Sequence, residues 1–126
     1  MGNVLLVDDD LNRLAQVRQL LDGKFDVEPA FNAWDGVGAA LMYKPTLVLF
    51  NLSSPIMTGP EALRLIRSEE VLQKLPILGF TEPRDLELEE VSLKNGCTRI
   101  LENLLDPSLP QLLQSCLSAS ESDSRA

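Results

Sequence analysis

Three stretches of the 126-residue chain, Val4–Val7, Leu47–Phe50 and Ile77–Phe80, carry no polar residue where a half-exposed strand would alternate polar with apolar. A strand without a polar side has to be covered on both faces, which is the condition of a parallel sheet between two helix layers. Between these runs the apolar spacing changes to that of helices. Leu14, Val17 and Leu21 share one face that Gly23 can close, and Trp34, Val37 and Leu41 form a second stripe. Pro60 opens a third helix that turns Leu63 and Ile66 inward and runs toward Leu72, and Leu109, Leu112, Leu113, Cys116 and Leu117 follow helical spacing near the end. The pattern predicts five strands near 3–8, 25–30, 46–51, 76–81 and 98–102, alternating with helices.

Two segments depart from this regularity. In 84–95 the residues Leu86, Leu88, Val91 and Leu93 do not fall on one stripe, and Asp85, Glu87, Glu89 and Glu90 crowd them, so an irregular or mobile fourth helix is expected. Residues 118–126 are small and polar without periodicity and are expected to form a disordered tail or the start of a linker, leaving 1–117 as one folded domain.

The charge balance narrows the function. With 19 acidic and 11 basic residues the net charge is -8, which opposes contact with nucleic-acid phosphates or anionic lipid. There is no histidine, and Cys97 and Cys116 lack metal-ligand spacing, which argues against zinc sites and histidine general-base catalysis. No apolar run approaches the ~20 residues of a membrane helix. A soluble, cytoplasmic protein is expected, with no direct nucleic-acid or membrane contact.

In a parallel α/β sheet with right-handed crossovers, sites form beyond the carboxyl ends of the strands. There the sequence places Asp8-Asp9-Asp10 after the first strand, and Asn51 at the end of the third. Pro55, Met57 and Gly59 follow Asn51 at offsets of four, six and eight, and Thr81 ends the fourth strand. Taken in order over about residues 3–117, these positions resemble the receiver domain of bacterial response regulators. The resemblance implies a flavodoxin-like (βα)5 three-layer sandwich with parallel strand order 2-1-3-4-5. In that family the paired acids hold magnesium, an aspartate ending the third strand takes a phosphoryl group from a histidine kinase, and a lysine after the fifth strand holds the phosphoryl oxygens. A strand-four Thr or Ser then moves onto the phosphate.

Carried over by position, Asp8 and Asp9 match the metal pair, with the Ser53 backbone carbonyl as a further ligand, and Thr81 matches the switch hydroxyl. Asn51 stands at the acceptor position and Asn103 at the lysine position. Leu104 replaces the proline that follows the lysine, so the bond before it is expected to be trans, and Ile100 replaces the switch aromatic.

A neutral amide is a poor nucleophile, so Asn51 offers no acceptor for the phosphorelay step. Without lysine at 103 no cation offsets developing phosphoryl charge. The resemblance therefore implies a pseudo-receiver that signals by phosphorylation-independent protein recognition, is not an enzyme, requires no cofactor and binds magnesium weakly. Asp10 is expected to cap the first helix. The clustered acids, lacking a lysine, are expected to repel one another, so that loss of Asp8 would be neutral or mildly stabilising. The partner surface is expected on the helix 4, strand 5, helix 5 face, with Asp85, Glu87, Glu89, Glu90 and Arg99, serving a basic partner or a homodimer. Two alternatives stand beside this: a conventional receiver using Asp8 or Asp9 as substitute acceptor, and a small-ligand module built on the emptied pocket.

Overall fold

The computed structural model describes residues 2–54 and 56–125, with side chains through residue 118. The strands are β1 (Gly2–Val7), β2 (Phe25–Ala30), β3 (Leu47–Asn51), β4 (Ile77–Phe80) and β5 (Arg99–Ile100). The helices are α1 (Leu11–Leu21), α2 (Ala33–Tyr43), α3 (Gly59–Ser68), α4 (Leu86–Lys94) and α5 (Leu109–Arg125). The strands are parallel in the order β2-β1-β3-β4-β5, the flavodoxin-like order that the resemblance implies.

The unbroken apolar runs divide their side chains between two cores. Leu5, Val7, Val48, Phe50 and Ile77 pack with α2 and α3 residues, among them Ala40, Leu63 and Ile66, on one face. Val4, Leu6, Leu47, Leu49, Leu78 and Phe80 pack on the other with Leu14, Val17, Leu109 and Leu113 of α1 and α5. Burial of each large side chain contributes roughly 1.5–3 kcal/mol, and this is why the central strands tolerate no polar alternation.

Local chemistry sets the helix ends. The Asp10 carboxylate accepts from the N–H groups of Asn12 and Arg13 at 2.9 and 3.0 Å, the expected cap of α1. Gly23 follows the helix with φ +76°, a conformation glycine adopts without strain. Thr58 caps α3 and Pro60 sits in its first turn, but the helix stops at Ser68, and a separate 3-10 turn, Glu70–Leu72, carries Leu72 into the core.

Three expectations are corrected. In α2 the inward stripe is not Trp34 and Leu41, which are 62% and 38% exposed, but Ala33, Gly36, Ala39 and Ala40. The helix lies so close to β1 that a Cβ on Gly36 would come within 2.8 Å of Val7 Cγ2, so only small residues fit between them and the large ones turn outward. Within 84–95, Leu86–Lys94 form a regular helix, α4, whose buried edge is polar, Glu89 and Ser92, and so leaves no apolar stripe in the sequence. Helix α5 continues past Leu117 to Arg125. Residues 118–125 contain no Gly or Pro to stop a helix that the packed turns have already nucleated. The side chains of 119–126 lie outside the described residues.

Candidate functional site

Strand register gathers the site. β1 and β3 pair Val7 with Phe50, and β3 and β4 pair Asn51 with Phe80. Asp8, Asn51 and Thr81 therefore meet at the carboxyl ends of adjacent strands, and all three are buried.

Asp8 is the hub of this pocket. Arg13, on the first turn of α1, clamps it through two nitrogens, Nε to Oδ2 at 2.5 Å and Nη2 to Oδ1 at 3.0 Å. The Asn51 side-chain amide donates to Oδ1 at 3.0 Å, and the Asp10 N–H donates to the same oxygen at 3.3 Å. Arg13 also reaches Asp10 at 3.5 Å and lies over the Phe80 ring at 5.8 Å. Burial disfavours the ionised form of Asp8, but the hydrogen bonds from Arg13 and Asn51 outweigh it and hold the carboxyl below its ordinary range.

This overturns the expectation that the acids stand uncompensated. Arg13 supplies the cation that residue 103 does not, and Asp8 is its tightly held partner rather than a dispensable repulsive charge. The sequence does carry a signal. A cation in the first turn opposes the helix dipole and needs an acidic neighbour to be tolerated.

Asn51 has its orientation dictated from both ends. Its Oδ1 accepts from the Ser53 N–H at 2.9 Å while its Nδ2 faces the Asp8 carboxylate. The flipped amide would set acceptor against acceptor and donor against donor. The acceptor position thus shows an N–H to the pocket and no free oxygen. A cavity of only about 10 Å3, bordered by Asp8, Asp9, Asn51 and Ser54, remains beside it. That is scarcely the space of one water.

Magnesium does not fit this arrangement. The ion requires about six oxygen ligands in near-octahedral geometry. Both oxygens of Asp8 are engaged by Arg13, Asn51 presents its nitrogen, and no cluster of three ionisable ligand side chains occurs among the described residues. Asp9 is exposed and takes part in no ion pair among the described residues.

The Thr81 hydroxyl is committed to α4. It donates to Glu89 Oε2 at 2.7 Å and accepts from the Asp85 N–H at 2.8 Å, while Arg84 Nε holds the same Glu89 oxygen at 2.7 Å. Burial pushes the Glu89 carboxyl up, yet the hydrogen bonds from Arg84 and Thr81 prevail and lower it. Glu89 is therefore not part of an exposed partner surface, as the sequence suggested, because its carboxylate is turned inward to Thr81. Asp85, Glu87, Glu90 and Arg99 are exposed.

Asn103 is exposed and makes no side-chain hydrogen bond to Asn51, so the two amides do not pair. Leu104 is buried in the α1/α5 core, and the only cis peptide among the described residues is Glu82–Pro83, so the bond before Leu104 is trans as expected. Ile100 is half-buried against the α2/α3 core. Pro55 lies outside the described residues.

No family model matches the chain. Among curated proteins it is 30% identical over 93 residues to hybrid signal transduction histidine kinase D of Dictyostelium discoideum, covering 74% of this chain and 6% of that one. It is 28% identical over 107 residues to "Probable transcriptional regulator ycf29" of Porphyra purpurea, covering 83% of this chain and 51% of that one. Protein PilH of Pseudomonas aeruginosa is 28% identical over 92 residues, covering 72% of this chain and 75% of that one. The chain thus spans 6% and about half of the length of the first two relatives.

Among solved structures, a CheY-like response regulator receiver domain from Methanospirillum hungatei superposes with a TM-score of 0.85 at 25% identity over 98% of both chains. The receiver domain of a Pseudomonas aeruginosa sensor histidine kinase superposes at 0.83 with 22% identity over 93% of this chain and 98% of that one, and it has a magnesium ion coordinated in its active-site cleft. The parallel 2-1-3-4-5 sheet, the strand-end positions of Asp8, Asn51 and Thr81 and these likenesses together support a CheY-like receiver domain of the response-regulator type.

Proposed function

We propose that this receiver-like domain acts in two-component signalling by phosphorylation-independent protein recognition, from the cytoplasm and without catalysis or a required cofactor. The observation that carries the reading is the state of Asn51. A neutral amide stands at the acceptor position, bonded to Asp8 on one side and the Ser53 N–H on the other. It offers neither a nucleophilic oxygen nor room for a phosphoryl group. Arg13 supports the same reading, since both oxygens of Asp8 are committed and Asp8 is a poor substitute acceptor. The small cavity likewise disfavours a metabolite at this point. Recognition falls to the exposed acidic surface around α4, Asp85, Glu87 and Glu90, together with Arg99. Incubation with acetyl phosphate and magnesium, followed by intact mass spectrometry, is expected to leave the mass unchanged. An increment of one phosphate, whether on Asp8, Asp9 or elsewhere, would overturn the proposal.

A further inference from the structure

Helix α4 wears part of its apolar surface outside. Leu86, Val91 and Leu93 are 68%, 40% and 45% exposed, and Glu87 and Glu90 stand among them, Glu90 in an exposed i,i+4 pair with Lys94 at 3.6 Å that solvent screens, while Glu89 and Ser92 face inward. A helix face that mixes leucines with carboxylates is matched by a surface that is apolar and basic.

The chain carries such a surface elsewhere. Between the end of α2 and the 3-10 turn lies a groove of about 370 Å3, floored by Leu72, Leu75 and Pro76. Val71, 81% exposed, stands on its rim with Lys44 and Lys74. Both lysines are exposed, neither joins an ion pair among the described residues, and no acidic residue lines the groove. In a chain of net charge -8 this is a local inversion of sign. Helix α3 packs between α2 and α4, so a molecule's own α4 does not reach its groove.

We infer that α4 of one molecule docks into the α2 groove of a second copy. Leu86 and Leu93 are two helical turns apart on one side, about 10 Å along the axis, and enter the apolar groove. Glu87 and Glu90 meet Lys44 and Lys74. The two patches differ, so the contact is heterologous, and each pair leaves one α4 and one groove free. Association therefore propagates head to tail. The inference rests on the reading of α4 as a recognition surface and makes a second copy of the chain its partner. It is independent of whether Asn51 blocks phosphorylation.

Sedimentation of the full chain tests it. The weight-average mass is expected to rise past that of a dimer with concentration and to fall back with added salt. The double variants Lys44→Glu/Lys74→Glu and Glu87→Lys/Glu90→Lys should each stay monomeric. An equal mixture of the two should associate again, because each acidic patch then meets a basic one. Val71→Glu changes a residue too exposed to matter for folding and should also abolish association. A wild-type chain that stays monomeric, charge-swapped or Val71→Glu variants that still associate, or a mixture that stays monomeric overturns the proposal.

Discussion

Replacing Arg13 by Met removes the guanidinium while keeping an apolar stem over Phe80, and so isolates the charge that faces Asp8. The Asp8 side chain is 0% exposed and that of Arg13 17%, so the substitution strands a buried carboxylate. Breaking a buried pair from one side costs about 3–5 kcal/mol. Here Asp8 keeps its bonds from Asn51 and the Asp10 N–H, so a loss of about 2–3 kcal/mol is expected, or roughly 10 °C in Tm for a domain of this size. The pH dependence gives the sharper test. In the wild type the Asp8 pKa is lowered, so the stability it contributes is complete above its unfolded value and is lost as pH falls through the folded one. In the variant the lowering contributions of Arg13 are gone, so that pKa rises relative to the wild type and the folded variant takes up a proton more readily than the folded wild type does. The variant's deficit should then be full near neutral pH and shrink on acidification toward about pH 4. Urea unfolding followed by circular dichroism at both pH values measures this. A deficit below about 0.5 kcal/mol at neutral pH, or one that does not change with pH, would refute the assignment of Arg13 as the site's resident cation.

Further outcomes follow from the same geometry. Millimolar magnesium should raise the Tm of Arg13→Met more than that of the wild type, because Asp8 regains free oxygens; equal responses in differential scanning calorimetry would contradict the magnesium misfit. Asn51→Asp sets a second carboxylate against Asp8, and should lower stability by about 1–3 kcal/mol in chelator, measured by urea titration. Glu89→Gln weakens the link between Thr81, Arg84 and α4, and because the Glu89 pKa is lowered, its effect should be present at neutral pH and fade as pH falls through the folded value. Gly36→Ala should destabilise by about 1–3 kcal/mol through contact with Val7, whereas Gly38→Ala, with nothing within 4 Å, should stabilise by up to about 1 kcal/mol; thermal melts of the pair separate packing from propensity.

The fold was legible because its strongest signal is thermodynamic. Apolar runs such as Leu47–Phe50 can be buried only between two layers, and the spacing of Leu14, Val17 and Leu21 leaves α1 one way to face the sheet. The turn residues around α1 and α3 were equally readable, since Asp10, Gly23 and Pro60 act through local backbone chemistry. What failed is non-local. Trp34 looks like a core residue until the closeness of α2 to Val7 is known, and that distance depends on a glycine whose role appears only when β1 is beside it. Glu89 reads as one acid among several until β4 brings the Thr81 hydroxyl to it. Position alone identified Asp8, Asn51 and Thr81 as neighbours at the strand ends, but which cation serves Asp8 depended on the turn of α1 that carries Arg13.

Two serine hydroxyls stitch the strand ends together. Ser53 Oγ accepts from the Glu82 N–H at 3.3 Å, across to the loop after β4, and Ser54 Oγ accepts from the Ala33 N–H at 3.2 Å, at the start of α2. Two adjacent residues after β3 thus hold the loops on either side of it. Opening one loop exposes donors in the next, so the rim should breathe as a single cooperative unit in hydrogen exchange, with Ala33 and Glu82 amides protected alike and released together. A protein that grips any one of these loops would then slow the motion of all three.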